Sequence, residues 1–331
     1  MDKAGLANLF ERMGQLHVVV VGDVMLDNYW WGDVERISPE APVPVVAVKK
    51  RESRLGGAAN VALNCRALGA KVALAGITGD DHEAGVLAQL AKDAGIDTSL
   101  LMQSPKRTTT TKTRVISRSQ QMLRLDDEIN EELYIEEEHP FIDIVLRYLQ
   151  REKPDVLIFE DYNKGVLKEN VVQRITAHCN EIGIVTAVDP KQKNFLVYKD
   201  ITIFKPNLKE VREGLHMVVP GTDIKALDNV HDNLKGLLQH QMTFITLSEY
   251  GVYYNDGRTS AIIPSHIRSI ADVSGAGDTV IAVAAMVYAI THNAGLMAEL
   301  ANIAGGLVCE EVGVVPVDKQ RLYHESEMLL S

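Results

Sequence analysis

The chain has 331 residues, 46% of them hydrophobic and 24% charged, with a formal net charge of -11. That balance excludes a disordered or low-complexity chain, and the length suits one α/β unit with insertions and a sizeable core. An acidic chain without a basic run that could follow a phosphate backbone is not expected to bind nucleic acid.

Along the chain, the first 15 residues mix acids with bases and hold no continuous apolar stretch, so no secretory signal is read there. Residues 16–21 form a β-branched run ending in Gly22-Asp23, the pattern of a buried strand that delivers a loop at its carboxyl end. Residues 30–54, with Pro39, Pro42 and Pro44, and the Thr-rich residues 108–126 break the strand–helix rhythm. Both predict extended strands of a small subsidiary sheet, serving as a lid or a subunit contact. Gly56-Gly57-Ala58-Ala59-Asn60 opens a helix over 61–68, followed by a strand at 72–75 and a helix over 84–94. Apolar runs at 156–159, 184–188, 201–205 and 244–247 then alternate with helical patterns such as 170–182. The alternation predicts a mainly parallel sheet with helices on both faces, and ligands at the carboxyl ends of its strands. No long linker or repeat divides the chain, so a single domain over 1–331 is expected.

The longest apolar run, residues 280–290, falls short of the roughly 18 residues a membrane span needs, so no membrane partner is expected. Cys65, Cys179 and Cys309 are widely spaced and form no CxxC pair, which argues against a zinc site or disulfide framework and fits a reducing cytoplasm. The histidines lack metal-ligand spacing.

The chemistry gathers near the C-terminal third. Gly275-Ala276-Gly277-Asp278 runs straight into a helix over 279–289. The free amides of such a helix start, approached closely because glycine has no side chain, attract an anion, and Asp278 in the first turn can accept a proton from a hydroxyl. Alone, the segment fits equally well a tight turn with an acid in the first helical turn.

Four further segments change that balance. They are Gly22-Asp23-Val24-Met25-Leu26-Asp27, Gly56-Gly57-Ala58-Ala59-Asn60, Asn207-Leu208-Lys209-Glu210 and Thr246-Leu247-Ser248-Glu249-Tyr250-Gly251. With Asp272 and the GAGD run, their order resembles the motif series of the ribokinase-like (PfkB) carbohydrate kinases over nearly the whole chain. The resemblance implies an α/β ribokinase-like fold with a small β-strand lid, and an ATP- and Mg²⁺-dependent kinase. It makes Asp278 the catalytic base and the amides of Gly275, Ala276 and Gly277 an anion hole. It gives Asp27 and Asn60 to sugar hydroxyls, with Gly56 and Gly57 close to the substrate. It assigns Asn207, Glu210, Ser248, Gly251 and Asp272 to the nucleotide side, and Glu210 to Mg²⁺, usually through water. Each has a plainer alternative: Asp27 as a turn acid, Gly56-Gly57 as a helix-entry loop, Asn207 as an N-cap, Glu210 as a solvated acid and Ser248 as a loop residue. Val273 and Ser274 stand where relatives often carry Thr, which touches only a hydroxyl contact near the nucleotide.

A closer resemblance rests on the run from Arg36 to Val45 (Arg-Ile-Ser-Pro-Glu-Ala-Pro-Val-Pro-Val), on Gln120-Gln121-Met122-Leu123-Arg124-Leu125-Asp126, on Asp161-Tyr162-Asn163-Lys164-Gly165 and on Asp189-Pro190-Lys191. These segments resemble the bacterial heptose-7-phosphate kinases, which make the 1,7-bisphosphate of D-glycero-D-manno-heptose on the route to ADP-heptose for lipopolysaccharide. Many relatives carry a nucleotidyltransferase domain after the kinase; a chain ending at Ser331 is expected to act as the kinase alone. Arg36, Lys164, Lys191 and Arg124 are grouped as candidates for the distal phosphate, each equally readable as a surface charge. Alternatives kept open are a related kinase for another sugar or a nucleoside, and a regulator that binds nucleotide without turnover. A homodimer, paired through the extended segments of the first half, is expected by analogy.

Overall fold

The computed structural model describes residues 2–118, 120–266 and 268–330. Ser119, inside the extended segment expected over 108–126, lies outside the described residues.

The chain opens with helix α1 (Lys3–Met13), strand β1 (His17–Gly22) and the long strands β2 (Val24–Ile37) and β3 (Pro44–Gly57). Helix α2 (Ala58–Ala67), β4 (Lys71–Gly79), α3 (His82–Asp93) and β5 (Asp97–Ser104) follow. The strands β6 (Thr110–Ser117) and β7 (Gln120–Asp127) precede α4 (Ile135–Glu152), β8 (Val156–Glu160), α5 (Glu169–Ile182) and β9 (Val185–Asp189). Then come β10 (Ile203–Phe204), α6 (Leu208–Leu215), α7 (Ile224–Leu238), β11 (Met242–Thr246), β12 (Val252–Asn255) and β13 (Ser260–Ile263). Three helices close the chain: α8 (Ala276–Thr291), α9 (Ala294–Val308) and α10 (Lys319–Leu330).

The strands form two sheets. The large one runs β13-β12-β11-β10-β9-β8-β1-β4-β5, parallel from β5 to β11, with β12 and β13 antiparallel at one edge. This is the α/β class expected from the strand–helix alternation. Because side chains alternate across a strand, each central strand feeds two cores. Val18, Val20, Val72 and Ile158 pack toward α1, α2, α8 and α9, whereas Val19, Val21, Ala73 and Phe159 pack toward α4, α5 and α7. α8 is apolar nearly all round, as a helix must be when it lies beneath its neighbours, and α2 and α9 pack against it.

The second sheet has the order β3-β2-β6-β7 and stands apart from the main layer. β2 pairs antiparallel with β3 and parallel with β6, and β6 pairs antiparallel with β7. β2 begins two residues after β1 ends, so Asp27 lies on a strand of this small sheet and not in a loop. Register puts Asp27 beside Arg54 and Lys112, and Arg114 beside Arg124.

Candidate active site

The parallel strands deliver their polar residues to one rim: β1 gives Asp23, β8 gives Glu160 and Asp161, and β9 ends on Asp189, with Lys205 directly after β10. The N-terminus of α8 comes to the same rim. Gly275 caps that helix at φ 79°, in the left-handed region where glycine is unstrained, and a Cβ there would stand 2.9 Å from Asn60 Nδ2. The amides after Gly275 are therefore presented without a side chain in front of them.

Asp278, in the first turn of α8, is buried. Asn60 Nδ2 donates to its Oδ2 at 2.7 Å, and the Tyr162 hydroxyl donates to its Oδ1 at 2.8 Å. Burial pushes the Asp278 carboxyl up to about 6, with Asp189 adding to the rise, while the two hydrogen bonds and Lys191 oppose it. Asn60 is itself fixed. Asn64 Nδ2 donates to the Asn60 backbone oxygen at 2.9 Å, and Asn64 Oδ1 accepts from Thr279 Oγ1 at 2.9 Å and from Val317 N at 3.0 Å.

Beside the base lies a charged chain. Asp189 accepts from Lys205 at 2.7 Å through Oδ2 and from Lys191 at 3.1 Å through Oδ1, and Lys191 also donates to Glu210 Oε1 at 2.9 Å. Burial works to raise Asp189, but Lys191 and Lys205 outweigh it and hold the carboxyl below its usual range. Burial and the nearby Asp189 raise Glu210. Glu160 lies fully buried nearby, both carboxylate oxygens lacking a hydrogen-bond partner among the described residues, and burial followed by Asp189 and Asp278 pushes it well above the usual range.

Asn207 and Glu210 close a capping box on α6: Glu210 N donates to Asn207 Oδ1 at 2.9 Å and Asn207 N to Glu210 Oε2 at 2.7 Å. The cap and the contact with Lys191 coexist. Next to it opens a cleft of about 530 Å³, lined by Asn207, Leu208, Arg212, Gly221, Ser248 and Tyr250 among others. Gly251 is buried behind Ser248, and its N–H donates to the Ser248 carbonyl at 3.1 Å. Asp272 points elsewhere. Its Oδ1 accepts from Ser274 N and Oγ at 3.0 and 2.8 Å, and its Oδ2 from Gly313 N at 3.0 Å, so it sets the loop that leads into Gly275.

From the small sheet, Asp27 reaches an ion pair with Arg114, both largely buried. A Cβ on Gly56 would stand 2.1 Å from Asp27 Oδ2, so the missing side chain there is what admits the carboxylate; Gly57 follows as the N-cap of α2. Arg36 is exposed toward the far end of β2, and Arg124, also exposed, turns to Asp126 at 2.9 and 3.0 Å. The four cations grouped from sequence thus separate: Lys191 joins the acids near the base, Lys164 binds Glu128 at 2.8 Å, and Arg36 and Arg124 stay outside. Sequence reasoning missed Arg114, Tyr162, Lys205 and Glu160. A charge closing an apolar strand run, as at Lys205 after Ile203–Phe204, was an available signal; nothing local marked Arg114.

Three comparisons bear on this arrangement. The pfkB family carbohydrate kinase model matches residues 15–320. The chain belongs to that family. Among its relatives, the bifunctional protein HldE of Methylobacillus flagellatus is 43% identical over 310 residues, covering 93% of this chain and 62% of the relative. HldE of Geotalea uraniireducens is 36% identical over 327 residues, 98% of this chain and 66% of the relative. The chain thus spans 62% and 66% of the length of these two relatives. Among solved structures, the tetrameric inhibited form of Escherichia coli phosphofructokinase-2 superposes with a TM-score of 0.76 at 16% identity, covering 94% of this chain and 99% of that one. Arabidopsis thaliana ribokinase complexed with ribose and ATP gives 0.71 at 16% identity, covering 93% and 99%. At those identities the structures establish the shared ribokinase-like fold.

Membership in the pfkB family makes the chain a carbohydrate kinase of an ATP-using family. Among the described residues, no helix is long and apolar enough to cross a membrane.

Proposed function

We propose that this kinase transfers the γ-phosphoryl group of ATP to the anomeric hydroxyl of D-glycero-β-D-manno-heptose 7-phosphate, giving the 1,7-bisphosphate for ADP-heptose and lipopolysaccharide synthesis. The observation that carries the reaction type is Asp278: a buried carboxyl with a raised proton affinity, held by Asn60 and Tyr162 at a glycine-opened helix N-terminus. The substrate rests on the heptose-kinase motif segments and on the similarity to HldE.

Asp278 takes the proton of the anomeric hydroxyl as its oxygen attacks the γ-phosphorus in line. The bond from that phosphorus to the β–γ bridging oxygen breaks, and ADP leaves. The amides of Gly275, Ala276 and Gly277 lie where negative charge gathers on the moving group. Asp27, fixed by Arg114, and Asn60 are assigned to the sugar hydroxyls, with Gly56 and Gly57 close by. ATP is assigned to the cleft at Asn207 and Ser248, with Gly251 shaping its wall. Asp272 is proposed to serve the nucleotide side by holding the anion-hole loop.

Among the described residues no cluster of three or more His, Cys, Asp or Glu side chains could hold a metal by itself. Mg²⁺ keeps several waters and takes one or two carboxylates plus substrate phosphates. Glu210 is the carboxylate proposed to hold it through water. When bound, the ion would offset the charge of the ATP phosphates.

The chain is proposed to work as one domain whose small sheet closes over the sugar and limits water entry. It is further proposed to act in the cytoplasm, in keeping with its free Cys65, Cys179 and Cys309, and as a homodimer.

Coupled ADP release with Mg²⁺-ATP tests the function, using heptose 7-phosphate beside ribose, fructose 1-phosphate and adenosine. Strong preference for the heptose phosphate is expected; turnover of only another acceptor overturns the substrate. Asp278→Asn is expected to keep nucleotide and sugar binding while losing about 10²–10⁴-fold in kcat. Undiminished turnover removes Asp278 as the base.

A further inference from the structure

A sugar phosphate has a second anionic end, and Lys164 is differently placed from the other cations considered for it. Its Nζ lies 2.8 Å from Glu128 Oε1 and 2.8 Å from Asn130 Oδ1. Lys112 Nζ meets the other oxygen of the same carboxylate, Glu128 Oε2, at 3.4 Å, and Asp126 Oδ2 at 3.6 Å. One carboxylate therefore bridges two ammonium groups that arrive from separate elements, β6 and the loop after β8. The two lysine side chains are only 16% and 12% exposed. Arg107 adds a third cation at the same junction. Its guanidinium donates to the carbonyls of Glu131, at 3.0 Å, and of Lys164, with no carboxylate contact among the described residues.

The pair is also tied to residues of the site. Lys112 is the register partner of Asp27 on β2. The backbone N–H groups of Tyr162 and Lys164 both end on Asp23 Oδ2, at 2.8 and 3.0 Å, while the Tyr162 hydroxyl holds Asp278. The loop that steadies the base thus also carries Lys164.

Two lysines converging on one oxyanion form a socket for any group with two or more charged oxygens at that spacing, and a phosphate dianion answers it with more charge than a carboxylate. We propose that Lys112 and Lys164 bind the terminal phosphate of the sugar substrate, with Glu128 holding the two ammonium groups until that phosphate displaces it. This rests on the kinase reading above and deepens it, because it makes the small sheet select for phosphorylated sugars.

The test uses the full chain and the variants Lys112→Met, Lys164→Met and Glu128→Gln. For whichever sugar phosphate the unaltered enzyme turns over, kcat/KM is compared with that for the same sugar without its phosphate. Each lysine variant is expected to shrink that ratio by roughly tenfold or more, chiefly through KM, which is the scale of a lost charged hydrogen bond. Glu128→Gln is expected to move KM for the sugar phosphate the other way, downward, by removing the competing carboxylate. An unchanged ratio in both lysine variants, or a Glu128→Gln effect of the same sign as theirs, overturns the proposal. Turnover of a sugar phosphate other than the heptose compound sinks the heptose assignment alone, and the ratio is then read on that sugar. If no sugar is turned over, thermal stabilisation by inorganic phosphate decides: a shift lost in both lysine variants supports the socket, and no shift, or one they retain, overturns it.

Discussion

At the scale of single residues, the raised proton affinity of Asp278 has a direct kinetic consequence. A base must be ionised to accept a proton, so kcat/KM is expected to rise with pH through about 6 and level off above it. Asn60 and Tyr162 donate to the charged form and so oppose the rise in proton affinity. Tyr162→Phe should therefore move the limb to higher pH. A flat profile down to about pH 4.5, well below the limb, would assign the proton to another group. Some of this constellation could be read in the sequence and some could not. The GAGD run shows itself because glycines and an acid are contiguous with a helical pattern. Arg114 is silent, since its partner Asp27 is 87 residues away and a lone arginine in a Thr-rich strand looks like a solvated one. Tyr162 falls inside a quoted segment, yet the direction of its hydroxyl is decided by the loop that Asp23 gathers.

At the scale of elements, helix α7 and the turn that leads from it into strand β11 hold a histidine pair that limits stability in acid. His231 Nδ1 and His240 Nε2 meet the Thr243 hydroxyl at 2.8 and 2.6 Å, and His240 is fully buried. Burial, then His231 and Lys235, push His240 down to about 3, whereas in the unfolded chain it titrates near 6.5. Between those values the unfolded chain binds more protons, so stability falls as pH drops below about 6.5 and is fully present above it. Melting temperature followed by circular dichroism from pH 7 to pH 4 should decline less steeply in His240→Gln than in the unaltered chain. Equal slopes would show that His240 contributes nothing. The elements themselves were legible where both faces of a strand are buried, as in β1, β4, β8, β9 and β11. The run expected over 201–205 shrinks to Ile203–Phe204, because only those two residues sit in register between β9 and β11. β5 at the sheet edge escaped notice, since its burial is partial and irregular. α4 escaped too, despite three acids in its first turn that mark a helix start.

At the scale of the whole molecule, the small sheet ends in the edge strand β7, which is exposed along its whole length. Leu123 and Leu125, which alternate with Arg124 on β7, are 53% and 48% exposed along that edge. An apolar sheet face in water is a natural contact between copies, and the proposed homodimer would cover it. Light scattering is expected to give a dimer for the unaltered chain and a monomer for Leu123→Ser/Leu125→Ser. A monomeric unaltered chain would remove the proposal. Alternation of strands and helices made the α/β layering readable from sequence. How the small sheet is anchored was not readable, because its join to the segment after α9 is made by backbone groups with no sequence mark: Arg54 donates to the Val312 and Val314 carbonyls at 3.1 Å, and the Tyr29 hydroxyl accepts from Val314 N at 2.9 Å.

That join also fixes when the machine becomes complete. Residues 313–317 hold Asp272 through Gly313, Tyr29 through Val314, and Asn64 through Val317, so the loop before Gly275, the small sheet and the support of Asn60 all wait on one late stretch of chain. During synthesis Asn60, Tyr162 and the base are therefore all made before the residues 313–317 that fix their supports, and a growing chain emerging from the ribosome would hold its phosphoryl chemistry in abeyance until that stretch arrives and locks.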